Sequence, residues 1–516
     1  MITENVVNTS QHVLFRQRWS TATIYIVLVL IGGILLRFTG LANESYWVDE
    51  ITTIRLLEGD LQVLLGQIFG GRPPVYMLSA FAWSQLFGVS EVATRSLTAL
   101  ASSVSLFMLY LLGKKLFNNR VALIATLLMA LSAFQLYHAQ DIRYYSFLTL
   151  FTLLSYLFFV YFLETARIYH VALYCIASLL MFYSHSYGVF ILASQSLFFT
   201  LFIFKHRSKI IPWLASQITI GLLIAPMLMA QMSGAGDGVM GWLPLPKFHE
   251  LLRTFYRFIF GYDGQETIIA ASIGIGIIIL AALVGFLRSG ASQKRKVARQ
   301  LWSNALRESS GISPLILVGC WLIIPVISPF ILSFVLGPMY LDRYVSTAAP
   351  ALYLLIALAI VTLRQWVPLT LSVVIVTGML IPGLHFFFTQ DQKEQWYEVA
   401  AFIDEQSQEN DVIVFTLDSH EARRALTQYY GGDLHLCQIE DGVAGQDSLI
   451  SNNLEQCSNG HERVWLIERL PSTLYTYYIT NDFLNQSDSL YIQEKYSFTQ
   501  IDVYLLENST TTREPL

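Results

Sequence analysis

The chain has 516 residues, of which 54% are hydrophobic and 13% charged, with a formal net charge of −5. Soluble proteins usually carry about 25% charged residues, so this composition excludes an ordinary soluble enzyme. The slight acidity points to no nucleic-acid partner.

Apolar runs of the length a bilayer requires, roughly 20 residues per helix, recur along the first three quarters of the chain. They lie at 21–41, 93–113, 120–138, 144–163, 170–185, 187–204, 210–230, 267–287, 313–336, 347–363 and 367–388, predicting about eleven spans. No small-residue cleavage pattern follows the first run, so it reads as a retained span rather than a signal peptide. Arg16 and Arg18 precede that run. With this end in the cytoplasm, Lys114, Lys115 and Arg120, Arg167, Lys205 to Lys209, Arg288 to Arg307, and Arg364 all fall inside. That sorting obeys the positive-inside rule.

The outside segments differ in kind. Loops 42–92 and 231–266 are long, while 139–143 and 337–346 are tight turns that carry charge. In the first loop Ile54, Leu57, Leu61, Leu64 and Ile68 recur at helical spacing; in the second Phe248, Leu251, Phe255 and Ile259 do. Both stripes suit a helix lying in the membrane surface, or one packed on the bundle. Residues 75–88, opened by two prolines, suggest a partial helix at membrane depth. From residue 389 to 516 the chain turns polar and reads as an extracytoplasmic α/β unit. Trp396 to Gln406 and His420 to Tyr430 are expected helices there, and Asp411 to Thr416 and Arg463 to Glu468 expected strands. Cys437 and Cys457 share this unit and are able to pair outside the cytoplasm; Cys175 and Cys320 lie in apolar runs as packing residues.

Chemistry concentrates at the expected outer surface. Trp47-Val48-Asp49-Glu50 follows the first span, and a partly buried carboxylate there suits a general base. An N-cap role for Asp49 at the start of the amphipathic helix is equally open. Asp141, in Gln140-Asp141-Ile142-Arg143, either acts on the acceptor or a metal or pairs with Arg143; charge at this depth is a functional signal. Arg72, Arg143 and Arg343 all fall near the outer surface, where a guanidinium fork matches phosphate oxygens. His185 could ligate a metal or meet a phosphate, or be a structural histidine. No phosphate loop, HExxH or paired CxxC is present, so no soluble nucleotide site is expected.

Taken together, Tyr46-Trp47-Val48-Asp49-Glu50, Arg72-Pro73-Pro74-Val75-Tyr76, Leu86 to Arg95, Gln140 to Tyr145, Tyr183 to Gly188 and Asp342-Arg343-Tyr344 resemble the GT-C membrane glycosyltransferases. The resemblance is to the group of protein O-mannosyltransferases and lipid A aminoarabinose transferases, and covers about residues 20–350. It implies a transmembrane catalytic domain over 1–388 and a C-terminal domain over 389–516, in the plasma membrane of a bacterial cell envelope. It implies an inverting sugar transfer from a polyprenyl-phosphate donor, amid membrane lipids, to a lipid, glycan or protein acceptor that remains unknown. Asp49 is the implied base; Glu50 and Asp141 are read from the residues as further catalytic carboxylates, and Arg72, Arg143, Arg343 and Tyr344 as the residues expected at the donor phosphate. Many relatives have His or Lys where this chain has Arg72. Relatives differ in metal use, so the cofactor is unknown and a divalent metal at His185 stays open. The rival readings are a transporter or flippase of a lipid-linked saccharide, and a non-catalytic scaffold.

Overall fold

A computed structural model describes residues 21–165, 167–234, 243–262, 313–363, 369–415, 420–438, 454–470 and 489–509. In hydrocarbon every backbone polar group needs an internal partner, which leaves the helix as the form for a lone span. Ten of the eleven expected runs coincide with helices: α1 Thr21–Phe38, α5 Glu91–Leu116, α6 Asn119–Leu131 continuing into α7 Ala133–Ala139, α8 Tyr145–Thr165, α9 Ile168–Ser184, α10 Gly188–Leu201, α11 Ile210–Gly234, α13 Pro314–Leu336, α14 Ala349–Leu363 and α15 Leu369–Thr389. The run 267–287 and the basic stretch 288–307 lie outside the described residues. Among the described residues four helices are long and apolar enough to cross a membrane, or five if α6 and α7 form one bent span, with five shorter apolar helices beside them. Exposed Leu28, Ile31, Leu35, Ile211, Leu222 and Phe334 give the bundle an apolar outer surface.

Local chemistry sets the helix ends. Ser90 accepts from the Ala93 amide and Asn118 from those of Arg120 and Val121, capping α5 and α6. Lys114 and Lys115 complement the C-terminal dipole of α5. Helices α6 and α7 meet at 64°. Ser132 holds that corner by capping the Gln135 amide and donating to the Phe258 carbonyl. The bend aims α7 and the turn after it at the outer site.

The expected stripe in loop 42–92 breaks at Gly59-Asp60 into α2 Val48–Glu58 and α3 Leu61–Phe69. Helix α2 buries Val48, Ile51, Ile54 and Leu57, so it packs on the bundle, while Leu61, Val63 and Phe69 of α3 stay exposed. Helix α4 Pro74–Phe87 follows. Helix α12 Phe248–Phe260 divides likewise, with Leu251 and Ile259 buried and Phe248 exposed.

The C-terminal unit contains α16 Trp396–Gln406, β1 Val412–Phe415, α17 His420–Leu426, β2 His435–Gln438, β3 Arg463–Arg469, β4 Leu490–Phe498 and β5 Ile501–Asn508. The sheet order is β2-β1-β3-β5-β4. Strand β1 is parallel to β2 and β3, whereas β5 runs antiparallel to β3 and β4. Cys437 and Cys457 form a disulfide. The helix expected over 420–430 ends at Leu426, with a turn following it, and the β4–β5 hairpin was not expected. Its signal was two β-prone runs separated by Thr499-Gln500.

Candidate active site

Four segments converge at one end of the bundle: the start of α2, the turn before α4, the turn 140–144 and the turn 337–345. Asp49 lies one residue into α2 and is 28% exposed; its Oδ2 is 3.6 Å from Arg143 Nη2 and 3.8 Å from Arg343 Nη1. Arg143 Nη1 also donates to the Asp49 carbonyl. Burial pushes the Asp49 carboxyl up, but the fields of Arg143, Arg343 and Arg469 outweigh it and hold the carboxyl below the usual carboxylate range. Asp49 does not cap its helix. The Val48 amide donates to Glu394 Oε2 at 2.9 Å, and the Trp47 amide faces Glu50 Oε2 at 3.4 Å.

Arg72 follows Gly71, whose φ of +100° and close approach to Gln231 exclude a Cβ. Gln231 donates to the Gly71 carbonyl, and Gln67 accepts from Arg72 Nε. Burial and then the charge of Arg143 bring the Arg72 guanidinium below its ordinary value. Arg72 therefore stands in the positive field of the cluster. Arg343 lies 5.6 Å over the Trp47 ring and 5.7 Å over the Tyr344 ring. The Nε atoms of Arg143 and Arg343 are buried without a hydrogen-bond partner.

Glu50 is placed differently from the cleft-facing carboxylate expected of a catalytic role. It is fully buried, with Arg95 Nη2 at 2.7 Å and Lys393 Nζ at 2.9 Å. It also accepts from the Ile142 amide at 3.0 Å. Arg95 further donates to the carbonyls of Leu41, Glu44 and Ser45. Glu50 thus ties the loop, α5 and the turn 140–144 together.

Asp141 is buried and does not pair with the Arg143 side chain. Its Oδ1 accepts from Trp47 Nε1 at 3.1 Å, and its Oδ2 lies 4.0 Å from His138 Nδ1. Both facing atoms lack a hydrogen-bond partner, as do the nearby buried hydroxyls of Tyr76 and Tyr145. Such orphaned groups are unfavourable unless a ligand or water meets them.

His185 accepts from the Tyr187 amide through Nδ1, and its ring packs 4.6 Å from Tyr144 and 5.3 Å from Tyr344. Among the described residues no three of His, Cys, Asp and Glu gather as a metal-ligand group. The charged side chains nearest the Asp49 carboxylate are the guanidiniums of Arg143 and Arg343, which repel a dication. These residues do not fit a divalent metal. His138, Lys393, Glu394 and Arg469 were missed from the sequence; the last three lie more than 340 residues from Asp49, and no spacing pattern links them to it.

Residues 71–229 match the family model described as dolichyl-phosphate-mannose-protein mannosyltransferase. No curated protein matches the chain by sequence. The chain is similar in fold to ArnT from Cupriavidus metallidurans bound to undecaprenyl phosphate, with 13% identity and a TM-score of 0.52, over 96% of this chain and 100% of the other. It is also similar to the Archaeoglobus fulgidus oligosaccharyltransferase in the apo form, with 14% identity and a TM-score of 0.52, over 91% of this chain and 72% of the other. Fold over nearly the whole length and sequence over residues 71–229 agree: the chain shares the fold of these two proteins, with helices apolar enough to cross a membrane.

Proposed function

We propose that the protein transfers a sugar from a polyprenyl-phosphate carrier to an acceptor on the non-cytoplasmic face of the membrane, with inversion. The observation that carries this reading is one partly exposed carboxylate facing two guanidiniums within 4 Å, with unsatisfied Nε atoms beside it. Arg72, Arg143 and Arg343 exceed the single charge of Asp49, and an anionic phosphate would balance them. The acceptor oxygen attacks the anomeric carbon while the bond from that carbon to the phosphate oxygen breaks. The electron pair leaves with the carrier phosphate, and Asp49 takes the acceptor's proton. Arginines that engage the phosphate release their hold on Asp49, so donor binding raises its pKa towards that of a working base. The same arginines stabilise the charge growing on the leaving phosphate.

Tyr344 and His185 would form an aromatic wall beside the phosphate, and His138 with Asp141 a polar recess. Glu50 is assigned a positioning role. The Cys437–Cys457 bridge supports an extracytoplasmic C-terminal unit, as in a bacterial plasma-membrane enzyme. The cluster of charge at the outer ends of the helices, away from the midplane, favours transfer over transport.

The test is Asp49→Asn in purified membranes supplied with the native polyprenyl-phosphate sugar fraction. Transfer should fall by about 10²- to 10⁴-fold while the protein still folds. Near-normal transfer would remove Asp49 from the mechanism.

A further inference from the structure

The start of the C-terminal unit is bound into the catalytic segment. Lys393 and Glu394 are both buried, although each carries a charge and follows the last span directly. Lys393 Nζ donates to Glu50 Oε1 at 2.9 Å and to the Gln140 carbonyl at 2.7 Å. Glu394 Oε2 accepts from the Val48 amide at 2.9 Å and from Trp396 Nε1 at 2.7 Å. The other Glu394 oxygen pairs with Arg469 at the end of β3. Ser45 donates to the Glu394 carbonyl and accepts from the Trp396 amide. Glu44 accepts from the Gln392 and Lys393 amides. Tyr429 completes the seam, accepting from the Tyr46 amide and donating to Glu91.

A tether would need none of this. Burying a lysine and a glutamate is unfavourable unless both are paired, and here both are spent on the two residues that flank Asp49. We infer that Lys393 and Glu394 are positioning residues for the transfer reaction: they lock the first turn of α2 so that Asp49 faces the arginine cluster, and they bring Arg469 up to extend it. The C-terminal unit is then part of the active site's scaffold. This inference rests on Asp49 being the base.

The charges make it testable. Glu50 is faced by Arg95 from α5 and Lys393 from the linker, with Tyr46, Tyr76 and Asp49 nearby. Asp49 is faced by Arg143, Arg343, Arg469, Arg72 and Glu50. The Glu50–Arg95–Lys393 triple carries a net charge of +1. Lys393→Met drops it to zero, so Asp49 feels Glu50 more strongly, and the acidic limb of the kcat–pH profile should move up by about one pH unit. The double variant E50Q/K393M returns the triple to +1 and should bring the limb back while kcat at its plateau stays low, because the Lys393–Glu50 lock is still lost. Lys393→Arg should keep the wild-type limb.

The measurement is kcat against pH in detergent-solubilised full-length protein, with the polyprenyl-phosphate sugar fraction from native membranes as donor. A purely structural role would lower the yield of folded protein and leave the limb in place. A K393M limb that coincides with wild type, or a double variant that fails to return, would overturn the inference. The Asp49→Asn control separates the two claims. An active control sinks the base assignment, whereas an inactive control with an unmoved limb sinks the positioning role alone.

Discussion

Arg343→Gln removes one of the two guanidiniums closest to Asp49 and leaves a shorter, neutral polar side chain. Its Nη1 is 3.8 Å from Asp49 and its Nε is buried without a partner, so the fork has donors to give to an incoming anion. A preorganised donor aimed at developing negative charge contributes about 3–4 kcal/mol, so kcat/KM should fall by about 10²- to 10³-fold. Asp49 remains ionised at neutral pH, because Arg143 is still 3.6 Å away. The loss is therefore phosphate recognition and not loss of the base. Arg343→Lys keeps the charge but not the fork and should lose roughly tenfold. Trp47 adjoins Asp49 and keeps its hydrogen bond to Asp141 in the variant, so tryptophan fluorescence offers a readout independent of turnover. Titration of the detergent-solubilised protein with undecaprenyl phosphate should show the Kd rising by at least about 30-fold in Arg343→Gln. A Kd and a kcat/KM both within threefold of wild type would refute the phosphate role.

Two further outcomes follow from the tertiary ties. Arg95→Met leaves Glu50 with one cation and strips donors from the carbonyls of Leu41, Glu44 and Ser45. Breaking a buried pair costs about 3–5 kcal/mol, so the thermal midpoint in detergent should drop by about 3–5 °C for a chain of this length; a change within 1 °C would contradict the assigned anchor. Replacing Cys437 and Cys457 by Ser opens a bridge with a sequence separation of 20. The chain-entropy relation gives about 3 kcal/mol for such a loop, and protease protection of the C-terminal unit should fall, with cleavage kinetics equal to wild type as the refuting result.

Much of the membrane architecture is legible without coordinates, because hydrocarbon admits so few solutions. A run such as Pro314–Leu336 can only be a helix if it spans, and basic residues between such runs sort to one side. The types of residue at the site were legible for the same kind of reason. Asp49, Asp141 and the arginines are charged groups next to apolar spans, which is unfavourable without a purpose. The α-helical bundle and the C-terminal α/β unit both follow from periodicity.

Which of those charges face the cleft was decided by tertiary structure alone. Asp49 and Glu50 are neighbours on one helix turn, and a 100° step sends one to the arginines and the other into a buried knot with Arg95 and Lys393. Local sequence offers both residues the same surroundings. The difference comes from Lys393 and Glu394, which reach α2 only because the chain returns to the outer mouth after its last described span. Asp49 is not a cap, because the helix begins one residue before it, at Val48, with Trp47 in the N-cap position. Sequence alone determined that acidic and basic groups would gather at the ends of the spans. Long-range burial determined which carboxylate stays available, because a charge can be buried only where a partner arrives to meet it.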